Sequence, residues 1–154
     1  MDKEFRRPVR SRHLVTNLIS CGAIIYCKKT KRALFLLRNI KQSGTWGLPG
    51  GKLNKNELPL SGLIREILEE TQGNLSTNKV VPIETFTSEN SKFVYHTFLI
   101  VVDDEFIPTL NNEHRGYCWV NVTDYPKPLH SGVFRTFKMS AVLDKIKTIE
   151  NNLI

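Results

Sequence analysis

Three glutamates carry the chemistry that can be read in this sequence. Glu66, Glu69 and Glu70 fall within one five-residue stretch. On a helix of 3.6 residues per turn, their three- and four-residue spacings project all of them toward one side. Like charges at that spacing repel, and a hard divalent cation bound by oxygens would remove the repulsion. Taken alone, the cluster fits a solvated acidic face as well as a cation site. Ahead of it lie a glycine pair, Gly50-Gly51, then Glu57, then Arg65 directly before Glu66.

The chemistry is narrowed by what else the chain holds. The three cysteines, Cys21, Cys27 and Cys118, are odd in number and show no C-x-x-C spacing. That argues against a disulfide framework or structural zinc and for a reducing, cytoplasmic setting. No serine sits in a nucleophile elbow, and His13, His96, His114 and His130 lack metal-ligand spacing. No apolar run approaches the roughly 18 residues of a membrane span, and the polar N-terminus has no apolar stretch of a secretory signal. The net charge is +7 over 154 residues, a balance that favours anionic, phosphate-bearing partners. Five basic residues crowd the first twelve positions (Lys3, Arg6, Arg7, Arg10 and Arg12). Residues 1–15 read as a basic tail or edge segment, and residues 16–154 as a single domain.

The elements that must position the glutamates follow from periodicity. Residues 17–27 and 33–38 are apolar, β-prone runs, expected to pair as neighbours across the basic turn Lys28–Arg32. Leu60, Leu63, Ile64, Ile67 and Leu68 recur at helical spacing. Pro59 suits the first helical position, leaving Leu58 as a poor N-cap. Gly62 weakens the helix interior, and Gly73 is the expected terminator. Residues 80–87 and 93–102 predict a hairpin, and 117–122 a further strand. Ser131 to about Glu150 predicts one amphipathic helix with Val133, Phe137, Ala141, Val142, Ile146 and Ile149 on its apolar side. The sum is an α/β or α+β sandwich: a mixed sheet, joined largely by hairpins, with helices on its faces.

The register Gly51, five residues, Glu57, seven residues, Arg65-Glu66-Ile67-Leu68-Glu69-Glu70-Thr71 resembles the Nudix hydrolase box, G-x5-E-x7-R-E-U-x-E-E-x-G-U with U aliphatic. The preceding Trp46-Gly47-Leu48-Pro49-Gly50 resembles the run that leads into the box. The match departs at its end, where Gln72 stands at the glycine position and Gly73 at the last aliphatic one. The resemblance implies an αβα sandwich with a central mixed β-sheet. Glu66, Glu69 and Glu70 would hold Mg2+ or Mn2+, with the Gly50 carbonyl as a further ligand. Arg65 would hold the carboxylates in place, and Glu57 would tie the loop to the helix. The family also uses an acid outside the box, and Glu113 is the candidate, with Asp103, Asp104 and Glu105 as rivals.

The implied activity is metal-dependent hydrolysis of a pyrophosphate bond in a nucleoside diphosphate linked to another moiety, such as ADP-ribose or a dinucleoside polyphosphate. Alternatives are hydrolysis of oxidised nucleoside triphosphates and removal of a cap or pyrophosphate from an RNA 5′ end, the latter favoured by the basic tail. A homodimer is common in the family, and the run Pro128–Val133 resembles short phage-encoded members, which would place the chain in a host cytoplasm. Arg38 and Lys52, flanking the box, are candidates for phosphate contact. Trp46, Phe86, Tyr95 and Tyr117 are candidates for stacking a base.

Overall fold

A computed structural model describes residues 18–152; the basic tail lies outside them. Among the described residues seven strands form one sheet: β1 (Leu18–Cys27), β2 (Ala33–Arg38), β3 (Trp46–Gly47), β4 (Gly50–Lys52), β5 (Val80–Thr87), β6 (Phe93–Val102) and β7 (His114–Val120). The helices are α1 (Pro59–Thr71), α2 (Ser131–Lys138) and α3 (Ser140–Asn152), with a single 3-10 turn at Val122–Asp124. The main path runs β3-β2-β1-β6-β5, with β4 added on β1 and β7 on β2.

The near-continuous apolar run of β1 marks a strand buried on both faces. Cys21, Ala23, Ile25 and Cys27 face Leu63 and Ile67 of α1. Ile24 and Tyr26 face the other way, onto Val133, Phe137, Val142, Ile146 and Ile149 of α2 and α3. This alternation makes the three-layer sandwich the sequence implied. The expected antiparallel pairing of β1 with β2 across the basic turn is present but short: Tyr26 stands opposite Ala33, and the Cys27 N–H donates to the Arg32 carbonyl at 2.8 Å. The long partner of β1 is β6, which pairs with it in parallel over its whole length. A parallel pair cannot be a hairpin; here the connection carries β2, β3, β4, α1 and β5 between the two central strands.

Three expectations change. The final helix is broken at Met139, which is extended (φ −81°, ψ 118°). Phe137 and Val142 are five apart, one step out of helical phase, and the break restores both to the core; Ala141 is exposed. On α1, Leu60 and Leu68 are exposed, and the buried stripe is Leu63 and Ile67. Gly62 is buried because α1 crosses the preceding loop closely. A Cβ there would run into Leu53 Cδ2 and lie 2.9 Å from Glu57 Oε1, so this glycine is a packing requirement rather than only a weak point.

Leu58 caps α1 without a side-chain bond, with Pro59 behind it, as the sequence indicates. The terminator is Gln72 and not Gly73. Gln72 is left-handed (φ 67°) and its N–H donates to the Leu68 carbonyl at 2.9 Å. A left-handed residue with a Cβ costs about 1–2 kcal/mol, offset in part by the extra freedom glycine brings to the unfolded chain. Gln72→Gly is therefore expected to raise the melting temperature by about 1–3 °C, read by calorimetry; a fall would show that the Gln72 side chain makes a compensating contact.

Candidate functional site

The box folds as a loop, a short strand and a helix locked by one arginine. Arg65 donates to both oxygens of Glu57 at 2.9 Å, to Glu66 at 3.0 Å, to Glu69 at 3.3 Å and to the Lys52 carbonyl at 3.2 Å. Glu57 accepts the Asn54 N–H at 2.8 Å, tying the loop. This fork holds the Glu57 carboxyl down to about 2. Gly50 to Lys52 form a short strand on β1, with Ser20 opposite Lys52 and Gly22 opposite Gly50.

Glu70 is buried, and the Gly50 N–H donates to it at 2.9 Å. Burial pushes its carboxyl up to about 8, with the charges of Glu66 and Glu113 adding and the Gly50 N–H opposing. Glu66 is also raised, first by burial, with Arg65 opposing. Glu69 points outward and does not line the cavity, its carboxylate meeting only Arg65 among the described residues. Gly51 lets Glu66 approach, since a Cβ there would lie 2.5 Å from its carboxylate.

Glu113, the candidate acid outside the box, lies in the loop before β7. Asn111 donates to the Glu69 carbonyl at 3.3 Å and accepts the Glu113 N–H at 3.1 Å, while the Glu113 carbonyl accepts from Asn39 at 2.9 Å. These bonds fasten Glu113 between the end of α1 and the end of β2. The rivals lie elsewhere: Asp104 pairs with Lys29, and Glu105 with Arg32, at 2.6 Å each. β7 begins at His114, earlier than its apolar residues suggest, and His114 pairs across the strands with Arg38. His114 is 9% exposed, and burial with the neighbouring Arg38 charge holds its imidazole down to about 4. A ring nitrogen of His114 and carboxylate oxygens of Glu70 and Glu113 lie within 4.8 Å of one another.

Glu66 and Glu70, their carboxyls raised by burial and by neighbouring carboxylate charge, and Glu113 beside them on the cavity wall present oxygen donors of the kind a divalent cation takes. Glu70 and Glu113 bring carboxylate oxygens within 4.8 Å of one another, Glu66 lines the same cavity, and Glu69 stands beside them on α1.

These groups line one end of a cavity of about 560 Å³. Arg38 and Lys52 also line it, and the Arg38 Nε is buried without a partner among the described residues. Cys21 sits in the wall, its thiol donating to the Gly51 carbonyl and pushed up to about 12 by burial, so it is no nucleophile at neutral pH. Phe86 and Tyr95 line the cavity as expected. Trp46 does not: it packs against the core and bridges to Leu129, because pairing of β3 with β2 at Leu37 turns its indole inward. Tyr117 is outside the cavity as well.

The structure adds residues the sequence did not single out. Phe93 stacks on Tyr95 with ring centroids 6.3 Å apart. Arg135 of α2 lies 4.0 Å over the Phe86 ring and 3.5 Å from Glu84. A bulge between Pro82 and Glu84 lets the β5 ladder bring Glu84 under α2, where Thr136 also donates to it at 3.1 Å. The alternation of Phe93 with Tyr95 was a readable signal; for Arg135 no local one existed.

With the site in view, its relatives can be compared. The NUDIX domain pattern matches residues 17–140. A dihydroneopterin triphosphate diphosphatase of Haemophilus influenzae is 32% identical over 113 residues, spanning 64% of this chain and 70% of that protein. The structure resembles the MutT protein of Methanosarcina mazei (27% identity, TM-score 0.66, covering 84% of this chain and 96% of that one). It also resembles the MutT NUDIX hydrolase of Burkholderia pseudomallei (25% identity, TM-score 0.66, covering 80% and 97%). A domain match over most of the chain, joined to an Arg65–Glu57 clamp and a helix of glutamates at the cavity mouth, makes this chain a member of the Nudix hydrolase family, acting on phosphoanhydride bonds.

Proposed function

We propose that the chain cleaves the α–β phosphoanhydride of a triphosphate carrying a flat heterocycle, of the nucleoside or pterin class, to a monophosphate and pyrophosphate. The observation that carries this reading is a row across the sheet. Lys52, Ser20, Tyr95 and Phe86 stand directly opposite one another on β4, β1, β6 and β5, and all four line the cavity. Residues in such a row share a face. Three strand spacings, roughly 14 Å, separate its ends, a span suited to a heterocycle at one end and phosphates at the other. The similarity to a triphosphate diphosphatase favours this class over ADP-ribose.

At the phosphate end, Arg38 and Lys52, which line the cavity, would neutralise phosphate oxygens. Arg65 keeps Glu66 fixed, and Glu70 is positioned to hold a proton taken from the attacking water. A divalent cation, when bound, would supply charge neutralisation and a more acidic water. At the other end, Phe86, Phe93 and Tyr95 offer apolar faces to the heterocycle, and Arg135, pinned by Glu84, stiffens that platform.

A panel of nucleoside triphosphates, a pterin triphosphate, ADP-ribose, a dinucleoside polyphosphate and 5′-triphosphate RNA, run with Mg2+ or Mn2+, tests the proposal. Pyrophosphate and monophosphate from the free triphosphates are expected by chromatography. Preferential turnover of ADP-ribose, or of RNA in a manner lost with residues 1–12, would overturn it. In the same assay Arg135→Ala is expected to raise KM about tenfold, the worth of one desolvated cation–π and stacking contact, with kcat nearly unchanged. A fall in kcat at constant KM would place Arg135 with the chemistry instead.

A further inference from the structure

We propose that His114 is itself a ligand of the divalent cation through a ring nitrogen, and that it biases the site toward manganese and other nitrogen-accepting ions over magnesium. The proposal rests on the reading of the carboxylate cluster as a cation site. His114 itself lies outside the box, on β7. His114 is nine-tenths buried, yet its Nδ1 finds no partner among the described residues. A buried ring nitrogen without a hydrogen bond costs stability unless something else occupies it.

A nitrogen of the same ring stands within 4.8 Å of oxygens from Glu70 and Glu113. Donors sharing one octahedral ion at about 2.1 Å sit roughly 3–4.2 Å apart, so a small rotation of these side chains brings all three to one ion. The imidazole is also fixed from behind. Its strand pairs with β2 at Arg38, where the register shifts between Leu37 and Arg38, and the loop before it is fastened to α1 through Asn111. His114 therefore reaches the carboxylates from the sheet while Glu70 reaches them from the helix.

The chemical consequence is selectivity. Magnesium takes oxygen ligands and holds its waters strongly, whereas imidazole suits ions further along the transition series. A carboxylate cage with one imidazole discriminates in favour of the latter; a cage of carboxylates alone does not. The other histidine on the cavity, His130, is committed elsewhere, its Nδ1 accepting the Gly132 N–H at 3.1 Å as the cap of α2.

The test is spectroscopic. The full chain, with its histidines labelled with 15N, is loaded with Mn2+ and studied by pulsed electron paramagnetic resonance, beside His114→Asn and His130→Asn. Isothermal titration gives Mn2+ and Mg2+ affinities of each. The expected result is a 15N coupling in the wild-type protein and in His130→Asn that is lost in His114→Asn. Mn2+ affinity should drop by at least about tenfold in His114→Asn, the lower end of what even an outer ligand partner contributes, with Mg2+ affinity much less changed. Bound Mn2+ with no 15N coupling, or a coupling that survives in His114→Asn, overturns the histidine assignment and leaves the carboxylate site standing. Failure of the wild-type protein to bind Mn2+ at all overturns both. Circular dichroism of His114→Asn separates ligand loss from unfolding, and His114→Gln, which keeps a polar side chain there, provides a second variant if the first does not fold.

Discussion

Glu70→Gln is expected to abolish turnover while making the cation-free protein more stable. The loss of a positioned acid–base group costs about 10²–10⁴ in rate, and a glutamine in this place also removes one cation ligand. The amide oxygen can still accept the Gly50 N–H that Glu70 accepts at 2.9 Å, so the local frame survives. The stability gain follows from linkage. Burial raises the Glu70 carboxyl from its ordinary 4.5 to about 8, so between those values the folded state binds the proton more tightly than the unfolded chain. Stability from this group is present at low pH and is lost as pH rises toward 8. His114 acts oppositely: its imidazole is lowered from 6.5 to about 4, so stability from it rises with pH across that window and is complete above 6.5. Between about 6.5 and about 8 Glu70 dominates. Melting of the wild-type protein in chelator should fall across that interval, and Glu70→Gln should flatten the fall. A wild-type melting temperature that climbs from pH 6.5 to 8, or a Glu70→Gln enzyme with undiminished turnover, would remove Glu70 from the site proposed here.

The second large effect is expected at Gly50. Its φ of 147° lies where a Cβ is strained. A Cβ added there would drive into the Cys21 carbonyl oxygen and lie 2.7 Å from Gly22 Cα. Both obstacles are main chain of the central strand and cannot rotate away. Gly50→Ala should therefore cost about 3 kcal/mol or more, from backbone strain and overpacking together, lowering the melting temperature by about 6–12 °C. It should also displace the N–H that anchors Glu70. Gly51→Ala provides the contrast. There the obstacle is the Glu66 carboxylate, 2.5 Å away, the movable end of a side chain. Turnover should fall steeply with the fold close to wild-type. Equal melting temperatures for Gly50→Ala and the wild-type protein would contradict the pairing of β4 with β1.

Glu57, Arg65, Glu66, Glu69 and Glu70 were legible because their relation is local. Helical spacing sets the carboxylates on one side, and an arginine eight residues after Glu57 reaches back over two turns to close the loop. Glu69 shows the limit of that logic: its spacing placed it with its neighbours, yet its side chain stands outside the cavity on Arg65. Where the local pattern was read without its surroundings, it misled. The last helix looked continuous because Ala141, four residues after Phe137, carries the apolar pattern across Met139, although it is exposed in the structure. The five-residue step from Phe137 to Val142 reaches the core only through a break. The pairing of β2 with β1 across their short turn was legible and is present, whereas the longer parallel pairing of β1 with β6, more than fifty residues further on, was not.

The sequence by itself determined the family's box, the reaction class and a chain with no apolar run long enough to cross a membrane, since each follows from residue types at fixed short distances. The tertiary structure decided what faces the box. Of the four candidate acids, Glu113 alone lines the cavity, its loop fastened to α1 by Asn111. His114 and Arg38 meet only because β7 returns beside β2. The row from Lys52 to Phe86, and Arg135 above it, draws on four strands and a helix that no single window contains. The physical reason is that helical spacing is carried by a few adjacent residues, whereas strand pairing and layer packing join residues far apart in the chain, and substrate selection depends on the latter.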